Sequence, residues 1–379
     1  MERRKFLGAV PLAIGGSMVL QPTQSIAQTT PISPIWTNVK SFGATGNGTT
    51  DDTAAILSAI SSLELNSDYR GGVLYFPAGR YICSASLVFT AYDQLHNIIV
   101  RGDGPVCTTL DFTNASSGSS GLIFNAGAQF GVEGLMINGA PGDGLLIGNG
   151  NSVNGNESCW LFTIRNVRIQ NCGSNGFMFV NTYMGTVEDC WSNLNTNIGF
   201  LFAGFHTSTN VSRCYASQNT GYGWSLNAMT YSSFTACGAD KNQRGYGMTN
   251  MIGVAFVSCG AESNLCEGWL LSAADSTVTG LPAWLQDIHG VTFTSCSSYY
   301  NSQSGANAFA SHIGVSTDIN NMSSRPIQFK VSGNTSECAP GSTISMALTG
   351  NGGPITVYDE LSYFSGTWLT TGAVTRKTL

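Results

Sequence analysis

Two acidic side chains occupy equivalent positions in a repeated pattern, and their types and spacing are suited to acid–base chemistry. Asp240 lies three residues after Cys237, and Glu262 lies three residues after Cys259. If the two segments stack as successive coils, these carboxylates become neighbours about 5 Å apart at the backbone. Carboxylates that close split their titration, giving one acid and one base or nucleophile. Cleavage of glycosidic bonds uses such a pair, so we predict that Asp240 and Glu262 are catalytic.

Other polar side chains on the same turns are predicted to bind the substrate. Lys241, Arg244 and Glu267 fall on the turns that carry the acidic pair, and Tyr222 lies on the coil before. Lys241 and Arg244 would orient hydroxyl or carboxylate groups of a ligand. The alternative, which stays open at this point, is that the two cations only neutralise the acidic pair in a solvated turn.

An expanded interval in the repeat supplies further candidates. Between Cys259 and Cys296 the chain has about fourteen residues more than one coil needs, and long loops on a repeat tend to wall a cleft. Trp284 and Asp287 are therefore predicted to contact the substrate. His289 is predicted to act as an acid or base, with an ordinary turn residue as the alternative.

The repeat that must position these residues is marked by cysteines. The side chain three residues before each cysteine is apolar, and an asparagine stands five residues after five of them. The cysteines are Cys172, Cys190, Cys214, Cys237, Cys259 and Cys296, and the asparagines are Asn195, Asn219, Asn242, Asn264 and Asn301. A period of 22 to 24 residues with short strand-like pieces indicates a solenoid. We predict a parallel β-helix in which the asparagines stack as a ladder.

The same alignment predicts what fills the interior. An aromatic column is followed two residues later by a second apolar column, which indicates an inward stack rather than a sugar-binding platform; its members are Phe177, Phe200, Trp224, Tyr246 and Trp269. The cysteines of the repeat are predicted to be buried thiols, since none has the spacing of a zinc site. Asp189 and Arg213 occupy equivalent places and are predicted to form an ion pair.

The N-terminal part carries a family resemblance. Residues 38–56, which include Phe42-Gly43-Ala44-Thr45-Gly46 and Asp51-Asp52-Thr53, together with residues 72–81 and 99–104, resemble the pectate-lyase-superfamily right-handed β-helix proteins. The resemblance implies an all-β fold, a single-stranded right-handed parallel β-helix (solenoid), with a short N-terminal capping helix from Thr53 to Leu63. Asp51 and Asp52 then cap this helix and are not a catalytic pair.

The resemblance does not supply catalytic residues. The sequence has no Asn-Thr-Asp with a following Asp-Asp and Gly-His-Gly, as polygalacturonases would show, no Asp-Pro-His of alginate epimerases and no Arg-x-Pro-x-x-Arg of pectate lyases. The predicted site therefore rests on the register of the coils alone.

The first residues are typical of an export signal. Residues 1–27 contain Arg3-Arg4 before an apolar stretch and end in Ser25-Ile26-Ala27, a pattern that resembles a twin-arginine signal peptide. We predict a periplasmic or secreted protein whose mature part, 28–379, is a single β-helix domain. Its parts are the N-terminal cap and first coils (36–110), the repeat coils (111–301) and the C-terminal coils and tail (302–379). No other apolar run approaches the ~20 residues of a membrane anchor.

Composition narrows the function classes. The chain has 16 Lys and Arg against 22 Asp and Glu, which argues against a nucleic-acid partner. We predict an exported carbohydrate-active enzyme that hydrolyses a polysaccharide and requires no metal or other cofactor. One alternative is a polysaccharide lyase that uses Lys241, Arg244 or His289 as the base and Ca²⁺ to bridge uronates. The other is a non-catalytic, adhesin-like glycan-binding solenoid. A homotrimer through residues 354–379 also stays open.

Overall fold

The chain winds into a right-handed parallel β-helix, which confirms the predicted fold class. The computed structural model describes residues 35–64, 72–89, 97–148, 158–272, 288–304, 310, 312–316, 327–340 and 342–379. The described strands all pair in parallel with strands of the neighbouring coils. All described residues belong to one compact unit that runs from residue 34 to residue 379. The predicted signal peptide, residues 1–27, lies outside the described residues and stays a prediction.

The strands stack in three columns, called sheets A, B and C in the order in which each coil visits them. Sheet A contains Ile35–Asn38, Gly72–Phe76, Ile98–Gly102, Thr186–Glu188, Asn210–Ser212, Ser233–Thr235, Ala255–Val257, Ile288–Thr294 and Ile327–Ser332. Sheet B contains Asn47–Asp51, Gly79–Ile82, Thr108–Asp111, Trp191–Asn193, Tyr215–Ser217, Gly238–Asp240, Gly260–Glu262, Ser297–Asn301, Thr335–Cys338 and Tyr363–Phe364. Sheet C contains Leu87–Phe89, Leu122–Phe124, Leu145–Ile147, Phe177–Val180, Phe200–Ala203, Tyr222–Thr230, Arg244–Ile252, Trp269–Ser272 and Ile313–Ser316.

Several longer or shorter strands link these sheets. Gly131–Asn138 and Thr163–Gln170 run from sheet A into sheet B, and Ile344–Glu360 and Thr367–Thr378 run from sheet C into sheet A. Short strands pair between sheets C and A; they are Gly127–Ala128, Cys159–Trp160, Thr182–Tyr183 and His206–Thr207.

The N-terminal helix spans Thr53–Glu64, one residue longer than predicted. Asp51 accepts hydrogen bonds from the backbone N–H and the hydroxyl of Thr53, so it caps the first turn. Asp52 is buried and accepts the backbone N–H groups of Thr45 and Gly46. Both carboxylates are therefore engaged in structural hydrogen bonds, as predicted, although Asp52 holds the preceding turn and not the helix.

The predicted aromatic column forms the core. Phe177, Phe200, Trp224, Tyr246 and Trp269 are fully buried, and successive rings stack with centroids 3.9 to 5.9 Å apart. The cysteines of the repeat are also buried and unbridged, and each thiol donates to a main-chain carbonyl, for example Cys214 to Ser212. The predicted ion pair is present too, since Arg213 binds Asp189 with two hydrogen bonds.

The asparagine ladder runs through the turn between sheets B and C and is fully buried. The side-chain Nδ2 of each asparagine donates to the Oδ1 of the next: Asn195 to Asn219, Asn219 to Asn242, Asn242 to Asn264 and Asn264 to Asn301, at 2.7 to 3.2 Å. The backbone N–H groups of the same residues donate to the same oxygens. Each coil is thus locked in register to the next.

No helix in the described part of the chain is long and apolar enough to cross a membrane.

We expect Asn242→Ala to destabilise the fold strongly. The substitution removes the side-chain oxygen that accepts the backbone N–H and the Nδ2 of Asn219, so the buried backbone N–H loses its acceptor. It also removes the Nδ2 group that donates to the carbonyl of Ala216. Because buried groups without partners are costly, the free energy of unfolding should fall by about 3 kcal/mol. Asn210→Ala is the matched control, since Asn210 is exposed and should change stability by about 0.5 kcal/mol or less. Urea unfolding measures both, and equal midpoints would contradict the ladder's role.

Candidate functional site

Asp240 and Glu262 are register partners at the ends of adjacent strands of sheet B, so the predicted stacking of the acidic pair is confirmed. The column that contains them runs from Ser217 through Asp240 and Glu262 to Tyr299. Its side chains point away from the core because the residue before each one points inward; Ala216, Ala239 and Ala261 are all buried. Equivalent outward positions on neighbouring coils lie about 5 Å apart at the backbone.

The two carboxylates have different surroundings. The Asp240 side chain is 15% exposed, and the Lys241 Nζ donates to one of its oxygens at 2.9 Å. The hydrogen bond and charge of Asp240 raise the pKa of the Lys241 ammonium, which keeps it cationic. The second Asp240 oxygen, Oδ1, is buried and accepts no hydrogen bond. Glu262 is exposed. One carboxylate is therefore held in place while the other is open to a ligand.

A groove of about 170 Å³ opens beside this pair on the face of sheet B. Its floor is Gly238 and Gly260, which stand in register in the column before the acids. Tyr215 and Tyr299 line its two ends, and Glu262 lines its side. The groove exists because two successive coils have glycine where the neighbouring coils carry Tyr215 and Ser297.

The electrostatics connect Tyr215 to the acidic pair. Burial, followed by the negative charges of Asp240 and Glu262, raises the pKa of the Tyr215 hydroxyl. The phenol therefore stays protonated at neutral pH and is able to donate a hydrogen bond. A protonated phenol and the aromatic rings at the two ends of the groove can bind a ligand that carries many hydroxyl groups. The two carboxylates beside them are suited to proton transfer.

Arg244, Glu267 and Tyr222 do not join this site. They lie on sheet C, beyond the turn 241–243, where Arg244 Nε donates to Glu267 Oε2 at 2.8 Å and the guanidinium lies over the Tyr222 ring. The pKa of Arg244 is raised by its bond to Glu267 even though burial opposes this shift. This geometry corrects the prediction that Arg244 orients a ligand at the acidic pair. Lys241 has a left-handed backbone conformation and Asn242 is buried, so the chain turns from sheet B onto another face before it reaches Arg244.

His289 also lies elsewhere. It is exposed in the strand Ile288–Thr294 and pairs with Ile252, at the end of a sheet C strand, before the same strand pairs with Ala255 of sheet A at Thr292. The residue of its coil that stands beside Glu262 is Tyr299. Ten residues and a corner of the coil separate His289 from that position, so it lies apart from the Asp240–Glu262 pair. Its role as an acid or base stays a prediction. Trp284 and Asp287 lie outside the described residues, and their roles stay predictions.

Wider grooves flank a charged ladder on sheet A. The grooves, of about 270 and 390 Å³, share Arg101, Glu133 and Arg165 as lining residues. Glu133 bridges the two arginines, and Arg165 also reaches Glu188. These charges satisfy one another, and the ladder has no two acids in register on adjacent coils like Asp240 and Glu262 on sheet B.

Metal binding finds no support in the described ranges. They contain no group of three or more His, Cys, Asp or Glu side chains arranged to hold an ion.

Sequence reasoning missed Tyr215 and Tyr299. The signal was present, because Tyr215 directly follows Cys214, and the same offset gives the two glycines of the groove floor. Tyr299 lies three residues after Cys296, the offset that selected Asp240 and Glu262.

Residues 36–261 match the family model described as rhamnogalacturonase A/epimerase, pectate lyase-like. The chain belongs to this family. The match includes Tyr215, Gly238, Asp240 and Gly260 and ends one residue before Glu262.

Solved structures of similar fold agree with the pectate lyase-like assignment. The A-module of the mannuronan C-5 epimerase AlgE4 from Azotobacter vinelandii matches with a TM-score of 0.64 at 18% identity, over 90% of this chain and 100% of that chain. The polygalacturonase from Erwinia carotovora ssp. carotovora matches with a TM-score of 0.63 at 12% identity, over 92% of this chain and 98% of that chain. At these identities the likeness shows the fold alone.

A curated relative matches over a short segment. A probable glucan endo-1,3-beta-glucosidase from Arthroderma benhamiae is 40% identical over 67 residues, which are 16% of this chain. The match spans only 8% of that protein's length.

The groove floor can be tested by two glycine substitutions. A Cβ at Gly238 would lie 2.5 Å from Cδ2 and Cε2 of Tyr215, whereas a Cβ at Gly260 would meet only the Ser297 Oγ, at 3.5 Å. We expect Gly238→Ala to push the Tyr215 ring aside and to reduce the free energy of unfolding by about 1 kcal/mol. The matched Gly260→Ala should change it by about 0.5 kcal/mol or less. Urea unfolding compares the two, and a larger loss for Gly260→Ala would contradict the described groove.

Proposed function

We propose that this protein is a carbohydrate-active enzyme that cleaves glycosidic bonds in a polysaccharide by hydrolysis, with Asp240 and Glu262 as the acid–base pair. The observation that carries the proposal is the register of the two carboxylates on adjacent coils, at the side of a groove that Tyr215 and Tyr299 line. The family membership supports a polysaccharide as the substrate class, since the proteins to which the chain is similar include a polygalacturonase, a mannuronan epimerase and a probable glucanase.

The roles of the two carboxylates follow from their surroundings. Asp240 is held by Lys241 and is shielded from solvent. We assign it the role of the carboxylate that stabilises positive charge on the sugar or activates a water molecule. Glu262 is exposed and borders the groove, where it can reach a glycosidic oxygen and donate a proton. Lys241 positions Asp240 and is not required to touch the sugar.

The lyase alternative has less support at this site. Elimination needs a base and a cation that neutralises the uronate carboxylate, yet Lys241 is paired with Asp240 and Arg244 is paired with Glu267. The non-catalytic alternative is favoured by one observation, the Lys241–Asp240 ion pair, because a satisfied carboxylate can be purely structural. Export, a homotrimer and independence of metals stay predictions.

We expect Asp240→Asn and Glu262→Gln each to reduce polysaccharide cleavage at least 100-fold, because general acid–base catalysis contributes about 10²–10⁴ to the rate. Cleavage is measured on a panel of polysaccharides as new reducing ends, with the ultraviolet absorbance of the products recorded in parallel. Hydrolysis gives reducing ends without an unsaturated product, and elimination gives both.

The matched control is Asp189→Asn, which makes the same chemical change in an acid that pairs with Arg213 at the corner between sheets A and B. It should retain cleavage. Circular dichroism and urea unfolding verify that each variant is folded. Cleavage that survives in both folded site variants would remove the proposed catalytic pair, and absorbance that grows with the reducing ends would replace hydrolysis by elimination.

A further inference from the structure

The face of sheet B carries exposed aromatic side chains in addition to the two carboxylates. In the outward column before the acids, Trp191 and Tyr215 are followed by Gly238, Gly260 and Ser297 on successive coils. Trp191 and Tyr215 are 37% and 41% exposed, and Tyr299 in the adjacent column is 38% exposed. An aromatic stretch therefore leads into the glycine floor, and a further aromatic side chain closes it.

Trp191 is held in one orientation. Its Nε1 donates to the Ser217 hydroxyl at 3.1 Å, and the Arg168 guanidinium lies over its ring with 4.4 Å between the Cζ and the centroid. The Tyr215 ring meets it edge-on, with centroids 6.5 Å apart. A fixed, half-exposed indole in a row with the groove is suited to stack on a sugar ring, because the orientation is set before the ligand binds.

The outward column from Trp191 to Gly260 sets the direction in which a bound glycan runs. The outward columns run along the axis of the solenoid, and each coil advances by about 4.8 Å. Trp191 stands two coils before Gly238 and three before Gly260, about 10 and 14 Å from the groove floor. One sugar unit of an extended glycan advances by a length comparable to one coil, so a glycan laid along the columns meets a similar position at each coil.

The charge of the groove selects against uronates. Among the residues that line it, Glu262 is the one charged side chain. Beyond it lie Asp240, already paired with Lys241, and Glu337, which accepts a hydrogen bond from the Tyr300 hydroxyl. A uronate carboxylate in the groove would therefore face a like charge with no lining cation to neutralise it.

We propose that the glycan bound along sheet B is uncharged and that Trp191 binds it at a distance of two to three coils from the groove floor. This inference rests on the proposed function for the position of the cleavage site, and it adds the substrate class and Trp191 as a distant binding residue.

The test measures binding with the Glu262→Gln chain, so that the ligand stays intact. Neutral oligosaccharides of glucan, mannan and xylan, from two to six units, are compared by calorimetry with oligogalacturonates of the same lengths. We expect a neutral series to bind, with an affinity that rises with length and exceeds that of the oligogalacturonates. Adding Trp191→Ala should lower the affinity for the longest neutral ligand about tenfold, as for an aromatic binding residue.

Trp36 provides a closely matched control. It is a half-exposed indole on sheet A that also lies under an arginine, Arg101, at 5.3 Å, and meets a tyrosine, Tyr75, edge-on at 5.4 Å. Trp36→Ala should leave the binding unchanged. Tighter binding of the oligogalacturonates, no binding by any neutral series, or equal effects of the two tryptophan substitutions would overturn the inference.

The outcomes separate this inference from the proposed function. If cleavage survives in both carboxylate variants but neutral ligands bind through Trp191, the catalytic pair is wrong and the binding face is correct. If the carboxylate variants abolish cleavage but Trp191→Ala and Trp36→Ala bind alike, the catalytic pair is correct and the axial binding face is wrong.

Discussion

The register between coils is the constraint on which the rest of the structure depends. Each buried asparagine of the ladder donates its side-chain and backbone N–H groups to the side-chain oxygen of the next. A slip of one residue would break these bonds and turn every outward side chain of the adjoining strand inward. The ladder and the stacked aromatic rings therefore set which residues, far apart along the chain, become neighbours on the surface.

The surface that results divides the polar residues among separate faces. Sheet B carries Asp240, Glu262 and the groove, sheet C carries the Arg244–Glu267 pair, and sheet A carries the ladder of Arg101, Glu133 and Arg165. On sheets A and C the charges satisfy one another. On sheet B the acids exceed the cations, and the glycines leave space beside them. The groove there can hold a ligand with many hydroxyl groups, because the two glycines of its floor have no side chains. Tyr215, Tyr299 and Glu262 around it carry hydrogen-bonding groups.

The sequence was sufficient to predict the features that depend on a residue's position within the repeat. The offset from each cysteine placed Asp240 beside Glu262, and the same alignment correctly assigned the interior stack of Trp224 and Tyr246. Family resemblance supplied the handedness and the capping helix. These features depend only on which residues share a position in the coil, and a single sequence shows that directly.

Contacts that depend on the corners of the coil could not be predicted in this way. Arg244 is only four residues from Asp240, but the left-handed Lys241 and the buried Asn242 send it to another face, where it binds Glu267. His289 was selected because it lies in an expanded interval, and the structure places it beside Ile252, apart from the acidic pair. The groove itself depends on Tyr215 lying over Gly238, and a side-chain orientation of this kind has no signature in the spacing.

The most direct test of this account is the crystal structure of the Glu262→Gln protein with a neutral oligosaccharide bound. The account predicts sugar density along sheet B, over Gly260 between Tyr215 and Tyr299, with a glycosidic oxygen within hydrogen-bonding distance of residue 262. Density confined to sheet A or to sheet C, with the groove of sheet B empty, would contradict it.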